Sequence, residues 1–302
     1  MARSNYDVNG KTVFVTGAAR GIGLDTAQRM HRRGANVVLV GLEPELLERN
    51  AAALGSRAAW FEADVTDLSA LEAAVQGTLE RFGGIDVTVA NAGLAFVGST
   101  LQMPVEQFER TINVNLLGAY KTLHATGPHV VERKGYLLTI ASASALMHTM
   151  LMAAYSASKA GIEAACDALR VELAPTGTRV GVAYFGFIDT DLVRKSFAHR
   201  ATENMRAGTP GFLNKPVPLA VAGKAIERGI TTRASHVAAP AFVRWLKPWR
   251  GIAQPLADAA LMRDKPKIAE SVRLADRPGA GPEPSLELGI AAESADDREP
   301  VG

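Results

Sequence analysis

Tyr155 and Lys159, in the stretch AAYSASKAG, stand four residues apart, and on a helix that spacing puts both side chains on one face. A phenol titrating near about pH 10 is a poor base at neutral pH, but a neighbouring ammonium stabilises the phenolate. The pair is therefore a tunable proton donor and acceptor, although taken alone the same spacing also occurs on ordinary helix surfaces. Thirteen residues before Tyr155, at the end of the apolar run YLLTIAS, stands Ser142. Its hydroxyl would lie beside a substrate oxygen if that strand and the Tyr155 helix frame one cleft. Asn115, in TINVNLLG, falls inside a helical stretch, where its amide can compete with backbone hydrogen bonds or bind a water. Asn113 is the alternative for that part, and a structural role for both is a third reading.

A second group of residues suits a phosphate. TGAARGIG follows an apolar strand and opens a helix, placing Gly17, Gly21 and Gly23 where the backbone can approach a pyrophosphate at the helix N-terminus. The spacing G-x-x-x-G-x-G differs from the common dinucleotide fingerprint, and the competing reading is a tight strand-to-helix turn. The next strand, NVVLVG, ends at Gly41, where a carboxylate would bond the ribose 2′-hydroxyl of NAD and repel the 2′-phosphate of NADP. With glycine there and Arg20 inside the loop, the choice leans to NADP(H). Glu43 is placed either to bend back to the ribose or to begin the next helix, where its charge suits the dipole.

The elements that must hold these groups alternate: KTVFVT, NVVLV, AAWFEADV, IDVTVANAG, YLLTI and RVGVAYF are strand-like, with helical patterns between them. Continuously apolar strands in a β-α rhythm predict an α/β fold, a doubly wound parallel sheet with helices on both faces, Rossmann-like, as a single domain with a C-terminal extension. Residues 1–275 are assigned to that domain and 276–302, rich in Gly, Pro and acids, to a disordered tail. SHVAAP is a candidate last strand, residues 189–218 a surface loop or lid, and AFVRWLKPWRGIAQPLADAAL a helical pattern broken by two prolines.

The chain has 302 residues, 33 basic and 31 acidic, for a formal charge of +2, which gives no electrostatic footprint for nucleic acid. Cys166 is the single cysteine, so no internal disulfide forms and a reducing, cytoplasmic location is expected. Its side chain reads as a small apolar residue on a buried helix face. The N-terminal stretch does not read as a secretory signal, and no apolar run is long enough for a transmembrane segment.

TGAARGIG, NAG from Asn91 to Gly93, NLLG beginning at Asn115, Ser142, and Tyr155 with Lys159 together resemble the short-chain dehydrogenase/reductase family, over about residues 8 to 245. The resemblance implies Tyr155 as general acid/base and Ser142 as the residue that orients the substrate oxygen. Lys159 would assist Tyr155 and hold the nicotinamide ribose, and Asn115 would hold a water in a proton relay through Lys159. It also implies that Gly17, Arg20, Gly21, Ile22, Gly23, Asp64, Val65, Asn91, Gly93 and Thr190 join Tyr155 and Lys159 in binding NAD(P). Asp64 would meet the adenine ring, and Asn91 would steady the central sheet. No metal is implied. FGFIDT departs from the family's pattern, with Phe185 in place of a proline, so the loop loses a φ restraint while Gly186 and Thr190 are kept.

These residues together read as an NAD(P)-dependent oxidoreductase interconverting a secondary alcohol and a ketone. A catalytically silent NAD(P)-binding sensor or interaction protein on the same fold is the rival. Phe96, Leu146, Met147, Met150, Met152, Phe185 and Phe187, in three segments expected around the cleft, point to an apolar and bulky substrate, the competing reading being core or interface packing. His148 reads as a loop residue, and Arg194 and Lys195 would take over recognition if the substrate were phosphorylated. The family resemblance implies a homodimer or homotetramer built from two long helices. Residues 240–262, with Trp245 and Trp249 among basic residues, read as packing or a pocket wall, and a membrane-surface role is the alternative.

Overall fold

A computed structural model describes residues 5–198, 201–202 and 215–276. Seven strands form one sheet: β1 Thr12–Thr16, β2 Asn36–Gly41, β3 Ala58–Glu62, β4 Val87–Ala90, β5 Tyr136–Ile140, β6 Arg179–Phe185 and β7 His236–Ala239. Their order is β3-β2-β1-β4-β5-β6-β7, and every neighbouring pair is parallel. Val13 pairs with Val37 on one side and with Val87 on the other, so β1 is the strand from which the chain winds outward in both directions. The reversal of direction between β1 and β4 opens a crevice beyond their C-terminal ends.

The strands are apolar throughout because both faces are covered. Side chains alternate between two cores: Val13, Val15, Val37 and Leu39 belong to one, Phe14, Val38 and Val40 to the other. The first core is closed by α1 Gly21–Arg32, α2 Pro44–Leu54 and α8 Leu219–Thr232, which contribute Met30, Leu47 and Ile226. The second is closed by α3 Leu68–Phe82, α5 Ala119–Glu132 and α6 Ala153–Glu172, through Val75, Leu123 and Ile162. Asp67 starts α3 by accepting hydrogen bonds from the Ser69 and Ala70 amides. Cys166 is fully buried on α6 beside Thr139, and burial pushes its thiol up to about 11, in keeping with a packing role.

Three local features differ from the sequence reading. The stretch holding Asn115 is not a regular helix: α4 Val105–Ile112 passes through a π-helical turn, Asn113–Gly118, into α5. The loop after β6 contains α7, Asp191–Ala198, and a parallel bridge between Ile188 and Val217. The prolines near the C-terminus do not break the helix, since α9 runs unbroken over Leu246–Leu261 and is followed by α10, Lys265–Ala275. Pro248 lies in the first turn, where an amide has no intrahelical partner to lose. Pro255 removes the bond to the carbonyl of Gly251, a residue exposed to solvent that can satisfy that carbonyl. The expected disordered tail lies outside the described residues, apart from Asp276.

Candidate active site

The crevice floor is made by the turn after β1. Asn91, just past β4, donates from Nδ2 to the carbonyls of Thr16 (3.0 Å) and Gly17 (3.1 Å), while its own amide donates to Thr16 Oγ1 at 3.1 Å. These bonds tie the ends of β1 and β4 together. A Cβ at Gly23 would fall 2.3 Å from the Gly17 carbonyl oxygen, so glycine lets α1 start against the strand end. No side chain caps α1, and its first amide groups are left for an anion.

Ser142 follows β5 and its Oγ accepts from the Ser144 amide at 3.1 Å, which starts a short 3-10 turn and holds the hydroxyl at the strand end. Tyr155 lies in the first turn of α6 and Lys159 one turn later. The Lys159 ammonium lies 5.8 Å from the Tyr155 ring centre and donates to the Ile140 carbonyl at 2.8 Å. Burial pulls the Lys159 amine down to about 8. Gly93 lies against it: a Cβ there would come within 3.1 Å of Lys159 Nζ and 3.2 Å of Asn115 Oδ1.

Asn115 is buried, whereas the alternative, Asn113, is exposed. Asn115 Oδ1 accepts from the Leu94 amide at 2.7 Å, and its Nδ2 donates to the Leu94 carbonyl at 2.8 Å and to Ser158 Oγ at 3.1 Å. Ser158 in turn donates to the Tyr155 carbonyl at 2.7 Å. The π-helical turn thus fastens the segment after β4 to the Tyr155 helix, and both amide hydrogens of Asn115 are committed to that clasp.

Most of the sequence-derived site converges. Gly17, Arg20, Gly21, Ile22, Asn91 and Gly93 line one cavity together with Ser142, Tyr155, Lys159 and Thr190. Asp64, Val65 and Gly17 line an adjoining depression with Gly41, Leu42 and Val114. Gly23 and Asn115 stand behind the wall instead of in it. Thr190 Oγ1 accepts from the Val193 amide at 3.4 Å, at the start of α7.

Some contacts at the site were not read from the sequence. Glu43 stands at the start of α2 but does not cap it; its carboxylate pairs with Arg20, with a 3.1 Å bond from Nε and a second contact from the guanidinium end. Since β1 and β2 are neighbours, their following loops lie side by side, and opposite charges in those two loops are the signal that would have found the pair. Ile188, Leu192 and Val193 add apolar wall. Of the seven apolar residues proposed from sequence, Phe185 lines the cavity, Met147 is half-buried outside it, and Phe96 and Leu146 are core side chains. Met150 and Met152 pack on Val97 and Leu151, and Phe187 is partly exposed against the edge of the Phe197 ring. His148 is an exposed loop residue. Among the described residues no cluster could hold a metal ion.

The geometry combines a glycine-lined crevice with a serine, a tyrosine and a lysine at its other end. The short chain dehydrogenase family model matches residues 11–201. L-rhamnose 1-dehydrogenase (NAD(P)(+)) of Azotobacter vinelandii is 36% identical over 221 residues, 70% of this chain and 86% of that protein. The 3-hydroxyacyl-CoA dehydrogenase type-2 of Bos taurus is 34% identical over 230 residues, 70% of this chain and 88% of that one. A solved short-chain type dehydrogenase/reductase from Mycobacterium marinum superposes with a TM-score of 0.71 at 27% identity, over 78% of this chain and 96% of its own. The chain belongs to the short-chain dehydrogenase/reductase family, whose members bind NAD(P) and act as oxidoreductases on CH–OH groups.

Proposed function

We propose that the protein interconverts a secondary alcohol and a ketone of apolar, bulky character. The observation that carries this reading is the meeting of Ser142, Tyr155 and Lys159 with the glycine-loop residues in one cavity. The nicotinamide cofactor supplies the hydride when bound, and the crevice fits it: α1 offers uncapped amide groups, and the backbone at Gly17 and Gly93 is open to close approach. Ser142 Oγ donates a hydrogen bond to the substrate oxygen. In reduction Tyr155 gives its phenolic proton to that oxygen as the carbonyl becomes an alcohol; in oxidation it takes the proton back. Lys159, held on the Ile140 carbonyl, stabilises negative charge at the Tyr155 oxygen and is assigned the ribose hydroxyls. Asn115 acts through the Leu94 and Ser158 clasp that fixes the Tyr155 helix, and a relay water at this end would need a donor other than the Asn115 amide.

Asp64 and Val65 border the adenine side, and Thr190 closes the nicotinamide side. The cofactor assigned is NADP(H). Gly41 brings no carboxylate to the ribose, and Arg20 offers a cation, although a 2′-phosphate must share it with Glu43. The apolar substrate rests on Ile140, Phe185, Ile188, Leu192 and Val193, which face the cavity. Residues 1–275 form the catalytic unit in this reading. A homo-oligomer in a reducing compartment is part of it too, with exposed Tyr120 and Val171 on the long helices, and Leu117 in the π-helical turn, as contacts.

Turnover of a panel of alcohols and ketones with both cofactors tests the reading. An apolar cyclic ketone should be reduced with higher kcat/KM than a short phosphorylated one, and with NADPH over NADH. Preference for the phosphorylated compound would move recognition to cations of the α7 segment such as Arg194.

A further inference from the structure

Helix α9 is mounted inside out. Its polar side chains face the protein: Lys247 Nζ lies 3.0 Å from Glu163 Oε1 and 3.0 Å from Asp167 Oδ2, and Arg250 lies 3.3 Å from Glu163 Oε2. Gln254 donates to the His148 carbonyl at 2.9 Å and accepts from the His148 amide at 2.7 Å. Glu163 is buried on α6, so a cation must sit over it, and this requirement fixes how α9 is turned. The opposite face then points to solvent. Trp245, at the helix start, is 56% exposed, Trp249 58%, Ile252 58% and Leu256 66%, a stripe spaced by four, three and four residues. No residue of α9 is buried.

The charges around this stripe indicate what covers it. Between Trp245 and Leu256 no carboxylate occurs. Arg244 lies over the Trp245 ring at 5.0 Å, and the exposed Arg263 stands just past the helix end. A second copy meeting this face about a twofold axis would press basic residues together along the stripe, with carboxylates only past its end, at Asp258 and Asp264. One row of four large side chains is also narrow beside the roughly 800 Å² per partner of a standard protein interface. Tryptophans and leucine on one face with arginines at its edges match the interfacial zone of an anionic bilayer. No helix among the described residues is long and apolar enough to cross a membrane, so the contact would lie in the plane of the surface.

We propose that the outer face of α9 seats the protein on anionic phospholipid, with Trp245, Trp249, Ile252 and Leu256 entering the interface and Arg244 and Arg263 meeting the headgroups. The seat is joined to the cleft, because Gln254 holds the loop between Ser142 and Tyr155 by its backbone.

Co-sedimentation of the full-length protein with vesicles tests this without reference to turnover. One set is phosphatidylcholine alone and the other phosphatidylcholine with phosphatidylglycerol in equal parts. Binding to the anionic set should exceed binding to the neutral set by about tenfold or more and fall with salt. Ile252→Asp with Leu256→Asp should reduce it by at least about tenfold at unchanged melting temperature and cofactor binding, whereas Trp249→Phe should retain most of it. The proposal is overturned if the wild type ignores anionic vesicles, or binds them only after residues beyond Arg277 are removed, which would make the chain's own tail the occupant. It is equally overturned if the double substitution changes the oligomeric state without changing vesicle binding, which would make the stripe a subunit contact.

Discussion

The cleft and helix α9 both break the rule that polar side chains face water and apolar ones do not, but in opposite senses. Around the cleft, Asn115, Ser142 and Lys159 are buried, and each has hydrogen-bond partners within the chain. On α9, Trp249, Ile252 and Leu256 are exposed and lie in none of the apolar clusters. Buried polar groups that answer one another form a constellation complete in itself. Exposed apolar groups that answer nothing among the described residues are complete only with something beyond them. The first region does chemistry with a small molecule, and the second is a place of attachment.

The contrast is sharpest at Lys159. Replacing it with methionine should remove nearly all turnover and weaken cofactor binding, on the order of a thousandfold in kcat/KM, since one ammonium serves both tasks. The same change should stabilise the free protein. With the folded amine near 8 and the unfolded one at 10.5, the unfolded chain binds more protons between those values, so wild-type stability rises with pH there. The burial cost is fully present below about 8 and relieved by 10.5. Melting curves should show the variant's advantage at pH 7 and its loss near pH 10; a variant equally unstable at both would mean that the ammonium costs the fold nothing.

Asn115→Leu comes next. It strands the Leu94 amide and carbonyl and takes a donor from Ser158 Oγ, which keeps its bond to the Tyr155 carbonyl, and an unmet buried polar group costs about 1–3 kcal/mol. Denaturant unfolding should therefore show a loss of at least about 2 kcal/mol together with reduced kcat. A third change acts at the mouth of the crevice. A Cβ at Gly41 would meet nothing closer than 3.8 Å, so Gly41→Asp fits and should move the kcat/KM ratio towards NAD(H) by about tenfold. Glu43→Gln should shift it the other way by a smaller factor, because it frees Arg20; no shift in either variant would place the ribose elsewhere. The smallest effect is expected on α9, where Leu256→Ala should change stability by no more than about 0.5 kcal/mol and leave the turnover of a soluble ketone unaltered. A larger loss would show that the stripe packs within the protein.

How far each region could be read from sequence follows the same division. The β-α rhythm, the glycine turn and the Tyr155 and Lys159 pair are local patterns, and the sheet brings them together as the spacing implies. What stayed hidden depends on neighbours distant in sequence. The partners of the Asn115 side chain are an example: the π-helical turn aims its amide at Leu94 and Ser158. Phe96 and Leu146 were assigned to the cleft, yet an apolar residue near a cleft can serve either side of its wall, and both serve the core. Pro248 and Pro255 argued against a continuous α9, but the ion pairs to Glu163 and Asp167 sit on a different element and outweigh that local signal.

The most direct test of Tyr155 as the proton-transferring group is a comparison of wild type and Tyr155→Phe by nicotinamide absorbance and by cofactor titration in the same preparation. The variant should bind NADPH within a few-fold of wild type and reduce an apolar cyclic ketone about a hundred- to ten-thousand-fold more slowly, since only the hydroxyl is gone. Turnover comparable to wild type in the variant, or a wild type that binds the cofactor and turns over no alcohol or ketone, would contradict the assignment, and the second result would leave the fold as a silent nucleotide-binding protein.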